Sequence, residues 1–186
     1  MKNGLVEKFY DNGQLMEKGN YKDGEKDGLW EYYHDNGQLR KKINYKDGER
    51  DGLWEEYHYN GKLEIRRNFK EGQVLLWEEY RDNGQLKFKE NYNIEGETDG
   101  LQETYYENGQ LKYKENCKND KEDGPWESYY DNGQLRSKKN HKDGKLDGLS
   151  ESYHDNGKLR SKGNYKEGKQ DGLWEFYFDN GQLWYK

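Results

Sequence analysis

His34, His58 and His154 occupy the same position of a repeated pattern, and a histidine column is where a metal would be sought first. If each repeat is a β-hairpin, equivalent residues of adjacent repeats stand two strands apart, about 9–10 Å. Zinc draws its ligand atoms to about 2.0–2.1 Å from one ion. The column therefore reads as exposed or half-stacked imidazoles, and no metal site is expected. The single Cys117 has no histidine or asparagine signature around it and takes a place that other repeats give to tyrosine, so it reads as a buried or inert thiol. Asp47-Gly48-Glu49-Arg50-Asp51 collects acids as a calcium loop does, but the acids do not alternate densely and a cation sits among them, so turn chemistry is the better reading. Glutamates and lysines facing each other could exchange protons, yet a pair repeated in every unit is a structural device. No catalytic residue, metal ligand or cofactor is assigned.

Aromatic surface remains as the chemistry on offer. Aromatic residues make up 16% of the chain, with 18 Tyr and 6 Trp. Trp30, Tyr32, His34, Trp54, His58, Trp77, Tyr106, Trp126, Tyr130, Trp174, Phe176 and Phe178 are the candidate partner-binding residues. Exposed aromatics suit the energetic centres of protein contacts. The same columns could stack on sugars or choline, and under either reading they also help to hold the sheet together.

The elements that must position these side chains follow from a repeat. Asn-Gly pairs begin at Asn12, Asn36, Asn60, Asn83, Asn108, Asn132, Asn156 and Asn180, at successive spacings of 24, 24, 23, 25, 24, 24 and 24 residues. Asn-Gly is a strong hairpin signal because its residues tolerate positive φ. Each unit then holds two strands, as in Leu29–His34 and Leu39–Tyr45, with Lys46–Gly52 as a longer loop leading to the next unit. A two-residue turn pairs Asp35 with Gln38, Tyr33 with Arg40 and Glu31 with Lys42. It brings a glutamate to a cation in all eight units, from Glu7 and Lys18 to Glu175 and Lys186, each pair contributing roughly 0.2–1 kcal/mol. The rival is a three-residue loop with a glycine bulge, which moves the first strand by one place and puts Leu29, Tyr33, Leu39 and Tyr45 on one face.

Under the two-residue turn one face is constant, with Leu29, Glu31, Tyr33, Lys42, Asn44 and their equivalents. The other carries Trp30, Leu39 and Tyr45 with changing residues between them. A surface fitted to one irregular partner should vary in this way, so a protein partner is expected on the changing face. Several units depart from the pattern: Gln102 and Ser150 stand where tryptophan is expected, Cys117 and His141 replace tyrosine, and regularity breaks near residues 70–102.

Composition agrees with a thin structure. Hydrophobic residues are 29% of the 186, against about 45–50% in ordinary domains, while 23 glycines and no alanine favour strands and turns. The net charge of −6 argues against nucleic acid and anionic membranes as partners. No run approaches the roughly 20 apolar residues of a membrane span, so no membrane insertion is expected. Without an apolar leader, a cytoplasmic location is the simplest reading, and a secreted chain stripped of its leader would look the same. Exposed strand edges near Leu5 and Trp184 are open to an end-to-end or edge-strand homodimer.

The unit "GLWEYYHDNGQLRKKINYKDG", with Gly-x-Trp-x-x-Tyr, Asn-Gly-x-Leu and Asn-Tyr-Lys-x-Gly, resembles the bacterial variant of the MORN repeat as found in the YwqK-type antitoxin family. The resemblance covers essentially the whole chain. It implies an all-β, solenoid-like elongated single-layer antiparallel sheet of about eight stacked β-hairpins in a single repeat domain, residues 1–186. It also implies a non-enzymatic binding or scaffolding role, in some members as an antitoxin or immunity-type partner of a toxin.

Overall fold

The glycine-punctuated, aromatic-rich sequence folds as expected into strands, and a computed structural model describes residues 2–186 with no helix among them. The chain divides into two compact units, the first ending at Gly96 and the second running Glu97–Lys186. The first holds β1 (Gly4–Phe9), β2 (Leu15–Lys22), β3 (Glu25–Tyr33), β4 (Leu39–Lys46), β5 (Glu49–Tyr57), β6 (Leu63–Lys70), β7 (Gln73–Tyr80) and β8 (Leu86–Asn91). The second holds β9 (Gly100–Tyr105), β10 (Leu111–Lys118), β11 (Lys121–Tyr129), β12 (Leu135–Lys142), β13 (Lys145–Leu146), β14 (Gly148–Tyr153), β15 (Leu159–Lys166), β16 (Lys169–Tyr177) and β17 (Leu183–Tyr185). Within each unit every strand pairs antiparallel with the next, except that β13 and β14 both pair with β12.

The two corners of a repeat exchange the roles expected of them, except after β8, where residues 92–99 form a longer connection. Asn-Gly sits in a three-residue loop: the His34 N–H donates to the Gln38 carbonyl at 2.8 Å and the Gly37 N–H to the His34 carbonyl at 2.9 Å. Gly37 alone of the loop has positive φ, 82°, the geometry of a turn closed by a glycine bulge. Tyr33 therefore faces Leu39, not Arg40, and His34, not Asp35, stands opposite Gln38. One residue later the register shifts, leaving Arg40 without an opposite number, so that Tyr32 faces Lys41 and Glu31 faces Lys42. The same shift follows every Asn-Gly corner and makes Met16, Arg40, Glu64, Lys87, Lys112, Arg136, Arg160 and Trp184 the extra residues. The Glu–cation register survives because bulge and loop compensate. The two-residue turn is instead at Asp47-Gly48, with φ of 48° and 82° between the paired Lys46 and Glu49. Strand β5 begins there, so the expected long loop is mostly strand.

The recurrence of Asn at the first corner has a local cause. Its side-chain Oδ1 accepts the N–H two residues on, as Asn36 does from Gln38 at 2.9 Å, which stabilises the turn without any neighbour. Its Nδ2 reaches the corner of the next repeat: Asn12 donates to the Asp35 carbonyl at 2.8 Å, Asn108 to Asp131 at 2.7 Å and Asn156 to Asp179 at 2.8 Å.

The core is one layer thick. Trp30, Ile43, Trp54 and Phe69 are the buried apolar side chains, all in the first unit. They lie on a row running Trp30–Ile43–Trp54–Arg67–Trp77 across β3 to β7, with Phe69 beside it. Trp30 lies on Gly19, where an added Cβ would come within 2.2 Å of the indole. Its Nε1–H donates to the Asn20 carbonyl at 3.0 Å. The opposite face carries the acid–cation ladder. Arg66 reaches both Glu55 at 3.3 Å and Glu78 at 3.4 Å, while Lys18 and Lys114 pair with Glu31 and Glu127 of the following repeat at 2.8 and 2.9 Å.

Candidate functional site

The tryptophan-bearing face was expected to vary for a partner, and the two units use it differently. In the first unit most of it is filled by its own side chains, with a groove of about 430 Å³ left beside Arg67, Trp77 and Tyr92. Trp30 has no exposed surface and Trp54 only 6%, so neither is available to a partner while the strands stay paired. Tyr32 stacks on Trp30 with ring centroids 6.3 Å apart, and the Lys26 ammonium donates to its hydroxyl at 2.6 Å. Trp77 meets Phe88 edge-on at 5.3 Å. The Arg67 guanidinium lies between two indoles, 4.8 Å from Trp54 and 4.3 Å from Trp77. Burial pushes its pKa down, although a guanidinium stays charged. The adjacent row is closed by ion pairs, with Lys8–Glu17 at 2.5 Å, Lys41–Glu56 at 3.3 Å and Lys87–Glu79 at 2.5 Å.

The position before each Asn-Gly corner is structural in most repeats. The Tyr10, Tyr106 and Tyr130 hydroxyls each donate at 2.8 Å to a carbonyl 23 residues on, those of Tyr33, Tyr129 and Tyr153. His154 Nε2 makes the same link to Tyr177 at 3.0 Å. His34 packs on Tyr59 at 4.9 Å. His58 lies between Glu64, 3.5 Å from Nδ1, and Asp82, 3.4 Å from Nε2; that second contact is an ion-pair distance without hydrogen-bond alignment. Two candidates thus prove to be clamps between repeats, a role whose sequence signal is the hydroxyl or imidazole at a fixed place before Asp-Asn-Gly.

In the second unit the face is open. Gln102 and Ser150 occupy tryptophan positions and are themselves buried, at 6% and 7% exposure. The adjacent row carries Ser128 opposite Ser137 and Ser152 opposite Ser161, the last two hydroxyls 2.6 Å apart. The result is a groove of about 530 Å³ over Ser150, walled by Trp126 and Trp174 and bordered by Tyr106, Tyr130, Lys112, Arg136, Lys139 and Arg160. Its lining residues include no Asp, Glu, His or Cys. The site residues that composition and repeat did not reveal are therefore Ser137, Ser161, Arg136, Lys139 and Arg160. Their signal was available as serines at 128, 137, 152 and 161, on the row where the first unit carries Lys8, Glu17, Lys41, Glu56 and Glu79.

A second groove of about 840 Å³ shares Ser152, Arg160 and Ser161 with the first and adds His154, Phe176, Phe178 and Trp184. Trp174 stacks on Phe176 at 6.2 Å, and the exposed Phe178 and Trp184 rings are 6.0 Å apart. Elsewhere on this face burial raises the pKa of the Glu115 carboxyl, with Glu122 nearby adding to the effect, and burial also raises the Cys117 thiol. A raised pKa makes that thiol a poor nucleophile. His141 faces Glu122 at 3.2 Å.

Comparison with known proteins places the repeat. A family model described as "MORN repeat variant" matches eight times, over residues 2–23, 26–47, 50–71, 73–93, 98–119, 122–143, 146–167 and 170–186. Comparison with curated proteins found no match. Among solved structures, the crystal structure of TcdB2-TccC3 aligns at 13% identity and a TM-score of 0.28 over 96% of this chain, which spans 12% of the length of that one. A porin-like protein from Bacteroides uniformis ATCC 8492 aligns at 8% identity and a TM-score of 0.21, over 91% of this chain and 92% of the other. Likenesses at these TM-scores carry no argument about function.

Proposed function

The chain belongs to the MORN repeat variant family, and from that premise we propose a non-enzymatic protein-binding repeat module whose contact surface is the tryptophan-bearing face of Glu97–Lys186. The observation that carries this is the contrast between the units. One covers most of the face with its own indoles and ion pairs, leaving about 430 Å³ beside Arg67 and Trp77, while the other leaves two grooves, the one over Ser150 about 530 Å³ and bordered by Tyr, Trp and Arg side chains. These are residue types enriched at protein interfaces and among their energetically dominant contacts. A cytoplasmic antitoxin or immunity-type partner of a toxin is the specific form of the proposal.

The test is affinity capture from the source cells, followed by co-expression of the identified protein and a measured stoichiometry. Capture should survive Trp30→Phe, which alters the buried core, and fail with Ser150→Trp, which fills the groove. Capture that ignores Ser150→Trp would remove the contact surface from the proposal, and capture of nothing would remove the proposal itself.

A carbohydrate reading is favoured by a different observation, the exposed Phe178 and Trp184 rings beside the second groove. A glycan array with Trp184→Ala as its control tests it. Edge-strand pairing of two copies is a further mode of protein contact; Leu5 and Trp184 are 64% and 66% exposed, and light scattering across concentrations checks it.

A further inference from the structure

The groove over Ser150 has a sign as well as a shape. In the first unit two of the four bulge residues meet opposite charge, Glu64 beside His58 and Lys87 beside Glu79, while Met16 is neutral and Arg40 stands as a single cation. In the second unit three consecutive bulge residues, Lys112, Arg136 and Arg160, are cations, and all three border the groove with Lys139. None of the four has a carboxylate within ion-pair distance among the described residues. Their near neighbours are rings: Lys112 is 5.8 Å from Tyr106, Arg136 5.7 Å from Tyr130 and Lys139 4.9 Å from Trp126. Ser137 and Ser152 face each other where the first unit pairs Lys41 with Glu56, so the acid that would otherwise neutralise this row is absent. A chain of net charge −6 thus keeps an uncompensated positive strip above a floor of hydroxyls.

We propose that this groove holds an extended acidic segment of a protein partner, with carboxylates set on Lys112, Arg136 and Arg160 and the segment's backbone on the serine hydroxyls. The inference rests on the protein-binding reading and specifies its ligand. Bulge residues of adjacent repeats are two strands apart, about 9–10 Å, and a peptide in the extended polyproline II conformation returns to the same face every three residues, about 9 Å on. Acids at every third position therefore match the cation spacing. Paired Arg and carboxylate groups supply charge-assisted hydrogen bonds. Ser137 donates to the Glu151 carbonyl and Ser152 and Ser161 bond to each other, and the lone pairs these hydroxyls keep can accept main-chain N–H groups. A dense polyanion fits less well. Double-stranded DNA carries a charge every 1.7 Å or so, so charges beyond the strip would meet the acidic remainder of the surface.

The test uses fluorescein-labelled peptides of repeated Glu-Gly-Ser, with Gln-Gly-Ser as the neutral control, and reads fluorescence anisotropy at low salt on the full chain. The Glu peptide should bind and the Gln peptide should not. Binding should weaken at about 0.5 M salt, where charges are screened within a few ångströms. Arg136→Ser with Arg160→Ser should lower affinity at least about tenfold, whereas Lys18→Ser on the opposite face should change nothing. Ser150→Trp restores the residue that other repeats carry; it should abolish binding while the far-UV circular dichroism spectrum is kept. Equal binding of the Glu and Gln peptides, binding of neither, or full binding by folded Ser150→Trp would each overturn the proposal. Tighter binding of dextran sulfate than of the Glu peptide, lost in the same variants, would overturn it in favour of an anionic polysaccharide. If the peptide fails while a captured protein partner is still lost in Ser150→Trp, the acidic segment is wrong and the protein-binding reading stands.

Discussion

Gly19→Ala separates two opposite expectations for the thin core. Gly19 has ordinary strand dihedrals, since it is not among the positive-φ residues. With no neighbour above it, alanine there should stabilise the fold by about 0.4–1 kcal/mol, by restricting the unfolded chain. The structure puts the Trp30 indole there instead, with Cδ2, Cε2 and Cγ 2.2, 2.4 and 2.5 Å from an added Cβ. No ring tolerates such contacts, so the indole must leave its seat. It then loses the hydrogen bond to the Asn20 carbonyl, about 1 kcal/mol, and a part of the burial that amounts to roughly 1.5–3 kcal/mol for a large apolar side chain. Set against the backbone gain, the net cost is about 1–3 kcal/mol. In a Trp30→Ala background the clash is absent and Gly19→Ala should stabilise, giving a coupling of about 2–4 kcal/mol in the double-mutant cycle. Gly163→Ala meets Trp174 as closely, at 2.3 Å, but the Trp174 Nε1 has no hydrogen-bond partner. Its cost should be smaller by the same 1 kcal/mol or so. Urea unfolding followed by far-UV circular dichroism reads all five proteins. A stabilising Gly19→Ala, a cycle without coupling, or a Gly163→Ala more damaging than Gly19→Ala would refute the seat-and-indole account.

Other outcomes follow from the corners and the ladder. Asn156→Ala loses two hydrogen bonds, from the Lys158 N–H at 3.0 Å and to the Asp179 carbonyl at 2.8 Å, and Asn36→Ala loses the bond from Gln38. At about 0.5–1.5 kcal/mol each, the first should shift the urea midpoint about twice as far. Tyr57 and Tyr80 are pushed up to about 12 by burial, then by the hydrogen bond to Glu55 or Glu78 and by that carboxylate's charge. Raised folded values mean stability that is full below about pH 10, the ordinary tyrosine value, and is lost as pH rises towards 12. Tyrosinate absorbance should show both titrating late, and Glu55→Gln should move Tyr57 back towards 10. Glu127 is held below the usual carboxylate range by the Tyr129 hydroxyl and then by Lys114. Its contribution is present above the ordinary glutamate value and is lost on acidification, so Lys114→Met should flatten the acid side of the stability profile.

The repeat length, the hairpin order and the Glu–cation register were legible because they depend on periodicity alone. Loop length was not, and the reason is specific. A three-residue corner followed by a bulge at Arg40 restores the pairing of Glu31 with Lys42, so the ladder is blind to what happens between. Asn-Gly and Asp-Gly both supply positive φ. What distinguishes them is the bond from the Gln38 N–H to the Asn36 side chain, which no spacing rule reports. The identity of the packed face was missed for a related reason. In a two-layer protein the core residues recur and the surface drifts, but here the residue opposite each indole may be anything that the indole can cover. Ile43 and Arg67 take that place in turn, as Gly19 does beneath Trp30. Variation on the tryptophan face therefore records two different things in one column.

Those two meanings separate once charge partners are followed along the chain. A variable residue whose change is answered across the strand belongs to packing, as Lys41 answers Glu56 at 3.3 Å and Arg67 answers the indoles of Trp54 and Trp77. A variable residue whose change is unanswered has no intramolecular reason for its type. Arg160 is of that kind, and Arg136 has only the Tyr130 ring at 5.7 Å: the strands beside them offer serines, and Ser150 leaves the space above open. Four cations gathered without an acid also repel one another, at a cost that Coulomb's law makes appreciable wherever water is partly excluded. Replacing Arg136 and Arg160 with serine should therefore leave the fold as stable as before or slightly more so, while the anisotropy signal with the acidic peptide falls. A loss of stability in that double variant would show that the strip is needed by the fold, and would take away the physical ground for reading it as a binding surface.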